Sequence, residues 1–552
     1  MLSWVKRELL TPRRLVFNVL FYGAHFALFS LGWFLQETDS RLSELNTLGF
    51  SVWISRGAGL VLAFDGGLIL LPMLRNVIRI IRPKLAWLFP ADENIWFHRQ
   101  VAYSMAFWAM VHTTAHYVNF INVERTQIRP EYALQIHYTQ AGGITGHFML
   151  LIMLLIYTTA NQRMRHRCFE AFWYTHHLAF FFMLGLYSHA TGCFVRDTPG
   201  PDYTRTFPFY NPDHCLGYMS WRFIIWPGIL YFGERVWREI RARRTTRLSR
   251  VLVHPSGAME LHIVKPSFKY TPGQWIFLQV PEISRFQWHP FTITSAPKDP
   301  YISLHIGQVG DFTHALGERL GAGPSVVARM TAEAMSGTEK EKRDGSRGDF
   351  YFTINANLPA VRIDGPYGAP AEDVFGVEVA VLVGAGIGVA PFASILKDIY
   401  YRQRENRIRS LRRVAFFWIC RDAPSLGWFQ SLLAEIEASQ ADPDFLRISI
   451  YLTQKMSEEM VWNIVANQDT DYDALSLLRS RTLFGRPDWM TIYGKLRRAI
   501  ESGDYLPGST SQLQTKVGTY FCGPPAIGKA IKEATIHHSG PTVSFSFAKE
   551  HF

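Results

Sequence analysis

Hydrophobic residues fall along this chain in two different rhythms. In the first part they form long, nearly unbroken runs at about 15–35, 52–74, 99–120, 144–160, 169–192 and 218–234. Each approaches the roughly 20 residues a helix needs to cross about 30 Å of hydrocarbon, so the pattern predicts six membrane-spanning helices. The first run is too long for a signal-peptide core and has no clear small-residue cleavage site, so it reads as a retained helix. Beyond it the rhythm shortens. From about 248 to 365, apolar stretches such as Met259–Val264 and Trp275–Val280 alternate with turns, which predicts a small antiparallel barrel. From about 378, strands alternate with helical stretches as in a doubly wound sheet. The expected domains are 1–245, 246–370 and 371–552.

Composition agrees with a membrane module joined to soluble domains: 48% of the 552 residues are hydrophobic, and 40 Phe and 16 Trp exceed what a soluble core usually needs. A net charge of +11 could suggest nucleic acid, but the basic residues sit beside apolar runs and no recognition motif accompanies them. Their positions instead orient the helices. Arg13 and Arg14, then Arg75, Arg79, Arg82 and Lys84, then Arg163, Arg165 and Arg167 alternate with loops carrying Glu37, Asp39, Glu44, Glu124, Glu131, Asp197, Asp202 and Asp213. A further basic cluster, Arg235 to Arg247, follows the sixth run. The positive-inside rule puts both termini and the soluble half in the cytosol, with either the plasma membrane or an endomembrane as the host. Of five cysteines, Cys193 and Cys215 fall in the last outer loop, as a bridge or as two loop thiols; Cys168, Cys420 and Cys522 are expected free.

Candidate chemistry begins with histidines inside the membrane, where ionisable groups are expensive and usually functional. The third run holds His98, His112 and His116, and the fifth holds His176, His177 and His189. His98 and His112 are fourteen positions apart, about 320° around a helix and ~21 Å along it, so they share one face near opposite ends. His176 and His189 are thirteen apart, ~20 Å along but about 140° from a shared face in an ideal helix. Two histidines from each run at two matching depths suit two bis-imidazole haems, a purely electron-relaying arrangement. Hydrogen-bonded core histidines are the plainer reading, and zinc fits poorly because the pairs lie too far apart. Arg56 and His116 could place positive charge beside a forming superoxide anion; Arg56 could equally be an interfacial, snorkelling residue.

In the soluble half, the strand His289-Pro290-Phe291-Thr292-Ile293-Thr294-Ser295 offers hydroxyls and amides for a flavin's ribityl and phosphate groups, or is simply a threonine-rich edge strand. Glu378–Val383 leads into Gly384-Ala385-Gly386-Ile387-Gly388-Val389-Ala390-Pro391 and then a helix, a strand–turn–helix pyrophosphate cradle. The spacing differs from the dinucleotide G-x-G-x-x-G fingerprint, which argues against a standard Rossmann dehydrogenase. Arg421 after one strand and Arg486 in Gly485-Arg486-Pro487 suit the 2′-phosphate of NADPH, unless they are only surface charges. Phe521-Cys522-Gly523-Pro524-Pro525 reads as another strand end at the same edge. Residues 331–347 read as a charged surface insertion, 467–511 as loosely patterned, and no EF-hand loop is present.

Taken together, these residues resemble the catalytic subunit of the NADPH oxidase family over nearly the whole chain, nearest the fungal type without calcium-binding hands. The likeness rests on Phe169-Glu170-Ala171-Phe172-Trp173-Tyr174-Thr175-His176-His177, on His289 to Thr292, on Gly384 to Gly388, on Cys522-Gly523-Pro524, and on the terminus Phe545 to Phe552. It implies a membrane α-helical bundle of six transmembrane helices followed by a ferredoxin-reductase-like module, with FAD on an antiparallel β-barrel and NADPH on an α/β domain. It further implies His98 with His176 on an inner b-type haem, His112 with His189 on an outer one, and Arg56 and His116 at the oxygen site. FAD would lie on His289 to Thr294 with Asp311 to Thr313 nearby, and NADPH on Gly384 to Pro391, Arg421, Arg486, Cys522 and Gly523, with Phe552 shielding the flavin. Electrons would pass from NADPH through FAD and both haems to O2. In His305-Ile306-Gly307 relatives often carry an arginine at the third position, where Gly307 stands, so one flavin-phosphate contact differs. Relatives need a small membrane partner, a cytosolic activator and a Rac-type GTPase. A transmembrane ferric or cupric reductase shares this plan, although the short His176-to-His189 step and the terminal motif look more like the oxidase. A scaffold with degenerate sites would show no haem band.

Overall fold

Large apolar side chains face outward in the first part of the molecule: Phe26 is 74% exposed, Met110 70% and Phe232 69%, while Ser55, Asp65 and His25 are buried. Lipid reverses the usual distribution of polarity, and a helix that satisfies its own backbone can present such a surface. The computed structural model describes residues 12–40, 43–85, 93–126, 132–139, 141–189, 221–328 except 255 and 324, 352–506 except 423, 428, 441, 457, 467–469, 474 and 477, and 514–550. Cys193, Cys215, Phe552 and the 331–347 insertion lie outside them.

The apolar runs form helices α1 (Pro12–Thr38), α2 (Phe50–Leu68), α3 (Asn94–Thr126), α4 (Ala141–Thr159), α5 (Phe169–His176), α6 (Ala179–His189) and α7 (Trp221–Ala242). Among the described residues, three stretches are long and apolar enough to cross a membrane on those grounds alone: Arg14–Thr38, Phe50–Met73 and Gly142–Thr159. The other three expected spans have identifiable differences. Histidines and arginines dilute the apolarity of α3, the fifth span is divided between α5 and α6, and α7 carries Glu234, Arg235 and further charges in its last turns. Helices α1 and α2 cross where a Cβ on Gly32 would stand 2.9 Å from Gly57 Cα, an approach that only small residues allow.

Contacts divide the chain into two compact units, Met1–Trp237 and Arg238–Phe552. In the second, seven antiparallel strands make two sheets: β1 (Arg247–Val253), β2 (Met259–Val264), β5 (Ile302–Ile306) and β6 (Phe352–Ile354) in the order β5-β2-β1-β6, and β3 (Trp275–Gln279), β4 (His289–Thr292) and β7 (Arg362–Tyr367) in the order β4-β3-β7. Alternating side chains such as Val251, Leu261, Ile276 and Leu304 fill the core between them. Helix α8 (Asp311–Arg319) contributes Phe312 and Leu316 to that core.

The remainder is a six-stranded parallel sheet in the order β11-β10-β9-β8-β12-β13, from β8 (Val379–Ala385), β9 (Arg413–Cys420), β10 (Leu446–Leu452), β11 (Leu483–Phe484), β12 (Thr515–Cys522) and β13 (Val543–Lys549). Helix α9 (Ala390–Arg404) follows β8, and two apolar clusters include residues from alternate positions of its strands. The region 467–511, expected to be loosely patterned, contains β11 and helix α10 (Trp489–Glu501). Trp489 and Tyr493 of α10 are buried beside Phe417, an anchor that a scan for long apolar runs passes over.

Candidate functional site

Helix α3 carries His98, His112 and His116, and the α5–α6 pair carries His176 and His189. The structure pairs them by depth: the ring centres of His98 and His176 lie 6.1 Å apart, and those of His112 and His189 6.2 Å apart. Two hydrogen-bonded imidazoles would stand roughly 5 Å apart, centre to centre. An iron between two ring nitrogens needs two bonds of about 2 Å plus about 1 Å from each nitrogen to its ring centre, roughly 6 Å in all. The observed spacing fits the metal.

Orientation fits as well. His98 Nδ1 donates to the Ile69 carbonyl at 2.9 Å and His112 Nδ1 to the Ser55 carbonyl at 2.8 Å, since a carbonyl can only accept. His189 Nδ1 pairs with Thr145 Oγ1 at 2.8 Å. Each contact engages Nδ1, the usual way an outer partner fixes a ligating histidine. His176 Nδ1 has no hydrogen-bond partner among the described residues.

The 140° mismatch expected between His176 and His189 has a physical explanation. The helix breaks at His177 and Leu178, where His177 N–H bonds to Tyr174 O, Leu178 N–H to Thr175 O and Phe180 N–H to His177 O. These three-residue bonds wind about 120° per residue instead of about 100°, supplying part of the missing rotation in the required sense.

His116 packs against His112 with ring centres 4.5 Å apart. Arg56 follows Ser55, whose carbonyl accepts from His112 Nδ1. A buried pair escaped the sequence reading: His25 Nε2 lies 2.8 Å from Asp65 Oδ1, with neither residue more than 2% exposed. An aspartate inside the 52–74 run was the available signal.

In the second unit, β4 brings His289 against Phe312 of α8, the rings stacked at 3.8 Å, with Phe291 at 6.4 Å from the same ring. The expected flavin residues therefore meet: His289, Pro290, Phe291 and Thr292 in β4, and Asp311 and Thr313 at the start of α8. Nearby in sequence, Phe286 is 82% and Val309 84% exposed. Two hydroxyls are already engaged. Thr313 Oγ1 accepts from the Val309 and Gly310 amides, and Thr294 Oγ1 pairs with Ser303 Oγ and His305 Nδ1, each at 2.8 Å.

At the parallel sheet the order reverses between β8 and β12, and ligands bind outside the carboxyl ends at such a point. Both glycine motifs end there. A Cβ on Gly388 would stand 2.5 Å from Cys522 O, and one on Gly523 2.7 Å from Ala385 Cβ. Gly384 is the next-to-last residue of β8 and Gly386, just past its end, has φ +57°, while Trp418 Nε1 holds the turn by donating to Gly386 O at 3.2 Å. Pro391 sits in the first turn of α9, whose amides face the cradle. Arg421 follows β9 and Arg486 follows β11, both exposed at the same edge. Burial pushes the Cys522 thiol up to about 12, so it stays protonated. Phe545 to Lys549 of the terminal motif lie in β13 beside β12, and Glu550 accepts from the Ala371 amide at 2.8 Å.

Residues 58–187 match the family described as "Ferric reductase like transmembrane component", 243–371 the "FAD-binding domain" and 377–536 the "Ferric reductase NAD binding domain". A superoxide-generating NADPH oxidase heavy chain of Dictyostelium discoideum is 33% identical over 92% of this chain and 90% of its own. Human NADPH oxidase 3 is 30% identical over 100% of this chain and 99% of its own, and rat NADPH oxidase 1 is 30% identical over 94% of each.

The chain belongs to the NADPH oxidase family. Its transmembrane, FAD-binding and nucleotide-binding matches follow one another in the order that the hydrophobic rhythm predicts. In this oxidase Arg238 and Arg241, counted among the basic residues that orient the helices, bond to Asp364 of β7. Asp364 was not singled out from the sequence, because its partners lie 126 and 123 positions away.

Proposed function

We propose that this transmembrane NADPH oxidase carries electrons from NADPH, on the cytosolic side with both termini, to dioxygen on the opposite side, releasing superoxide. FAD and two b-type haems, when bound, supply the conversion of a hydride into single electrons and their relay across the hydrocarbon. His98 with His176, and His112 with His189, would hold the haems through Nε2, oriented by the Ile69 and Ser55 carbonyls and the Thr145 hydroxyl. Held by two histidines each, the haems would supply one-electron transfer to dioxygen and not a site that binds it. Arg56, with His116 beside His112, supplies the positive field that favours a newly formed anion there.

On the cytosolic side, Gly384, Gly386 and Gly388 let the backbone approach the NADPH pyrophosphate, with Pro391 opening the helix behind it. Arg421 and Arg486 would take the 2′-phosphate and Cys522-Gly523 would border the nicotinamide, while Phe552 would cover the flavin face. His289 to Thr294, His305, Asp311 and Thr313 form or support the flavin bed. The family resemblance supports dependence on a small membrane partner, a cytosolic activator and a Rac-type GTPase.

The observation that carries this reading is the matched 6.1 and 6.2 Å spacing of the two histidine pairs. The test is NADPH-driven cytochrome c reduction by the purified oxidase with and without superoxide dismutase. Dismutase should abolish the signal, and Arg56→Gln should lower it on the order of tenfold with the haem spectrum intact. Reduction of ferric chelates that ignores dismutase would instead support a metal reductase.

A further inference from the structure

Three histidines converge on one glutamate in the flavin domain, away from the membrane histidines. Glu260 lies on β2, His254 just after β1, His262 on β2 and His305 on β5. Their side chains are 15%, 4%, 2% and 8% exposed.

The two oxygens of Glu260 have different surroundings. Arg250 Nε donates to His262 Nδ1 at 3.0 Å, so the proton of a neutral His262 sits on Nε2, which donates to Glu260 Oε1 at 2.7 Å. Tyr301 stacks on that imidazole at 3.9 Å and holds it in place. The other oxygen, Oε2, lies 3.5 Å from His254 Nε2 and 3.4 Å from His305 Nε2. Those distances exceed the roughly 2.7–3.2 Å of an N–H···O hydrogen bond. They match the edge of a tetrahedron whose centre is about 2.0–2.1 Å from each donor, roughly 3.4 Å. The three ligand atoms all lie within 4.8 Å of one another.

The outer contacts suit ligation too. His305 Nδ1 meets Thr294 Oγ1 at 2.8 Å, the second-nitrogen contact that orients a metal-binding histidine.

We propose that His254, Glu260 and His305 form a binding site for a divalent transition cation of the zinc class. Glu260 binds through Oε2, His262 steadies Glu260 from outside, and water takes the fourth position. Two imidazoles and a carboxylate suit zinc better than calcium or magnesium, which prefer an all-oxygen shell. The cation ties the β1–β2 hairpin to β5 and fixes the Thr294 hydroxyl through His305.

The experiment uses the full-length detergent-solubilised oxidase, stripped with a chelator, equilibrated with zinc alone and passed through a desalting column. Elemental analysis should find about one zinc per chain more in wild type than in His254→Ala. Zinc-edge absorption should report nitrogen and oxygen donors at about 2.0 Å without sulfur. Equal zinc in the two proteins, or sulfur in the shell, would overturn the proposal. Should His254→Ala fail to fold, wild type alone decides: its thermal midpoint must rise on adding zinc and fall back with chelator, and an unmoved midpoint refutes the site.

Discussion

Arg241 Nη2 lies 2.5 Å from Asp364 Oδ1, fastening the end of α7 to strand β7 of the flavin domain. Arg238 Nε takes the other oxygen at 2.7 Å, and the Tyr367 hydroxyl donates to the same carboxylate. Burial alone would push the Asp364 carboxyl up, but Arg238, Tyr367 and Arg241 outweigh it and hold it below the ordinary value. A carboxyl depressed in the folded state contributes stability that is complete above about pH 4 and lost as pH falls through the folded value. Asp364→Asn should therefore flatten the acid limb of a flavin-release curve and cost on the order of 3 kcal/mol at neutral pH. An unchanged acid limb would mean that the clamp contributes nothing.

Gly388→Ala tests the nucleotide cradle. The added methyl would meet the Cys522 carbonyl at 2.5 Å, and the backbone there has no flexible side chain to yield. The KM for NADPH should rise or turnover should fail, while haem absorbance and flavin content match wild type. Normal NADPH kinetics would separate the glycine turn from the nucleotide.

Discrimination between NADPH and NADH should depend on Arg421 and Arg486, both exposed at the carboxyl edge of the sheet. Replacing both with alanine should lower the ratio of kcat/KM for the two nucleotides at least about tenfold, about 1.4 kcal/mol of binding. Preserved preference would move 2′-phosphate recognition elsewhere.

The His25–Asp65 pair should be structural as well as polar. Asp65→Ala leaves His25 without its carboxylate partner in a buried setting, which costs roughly 3–5 kcal/mol when a buried pair is broken. A large drop in the detergent thermal midpoint is expected; a shift within error would mean that the cavity admits water freely.

Much of this was readable from the chain because period and chemistry coincide. The run from Glu378 through Pro391 appears as β8, the turn and α9, since glycines at 384, 386 and 388 leave the backbone few alternatives. His98 and His112 sit on one regular helix, so spacing alone placed them on one face. His176 and His189 do not, because the break at His177–Leu178 depends on backbone bonds that no periodicity encodes. Asp364 meets Arg238 and Arg241 of α7 from far along the chain, and the pairing of β2 with β5 sets Glu260 beside His305. Thr294 was expected at the flavin from its strand, and its bonds to Ser303 and His305 depend on strand pairing that its own segment does not show.

Counting haems tests the central claim most directly. Pyridine haemochrome analysis should give about two b-type haems per chain in wild type and about one in each of His112→Ala and His176→Ala, with flavin content unchanged. A wild-type protein with no haem absorbance after adequate cofactor supply, or variants that keep both haems, would contradict the assignment of these imidazole pairs.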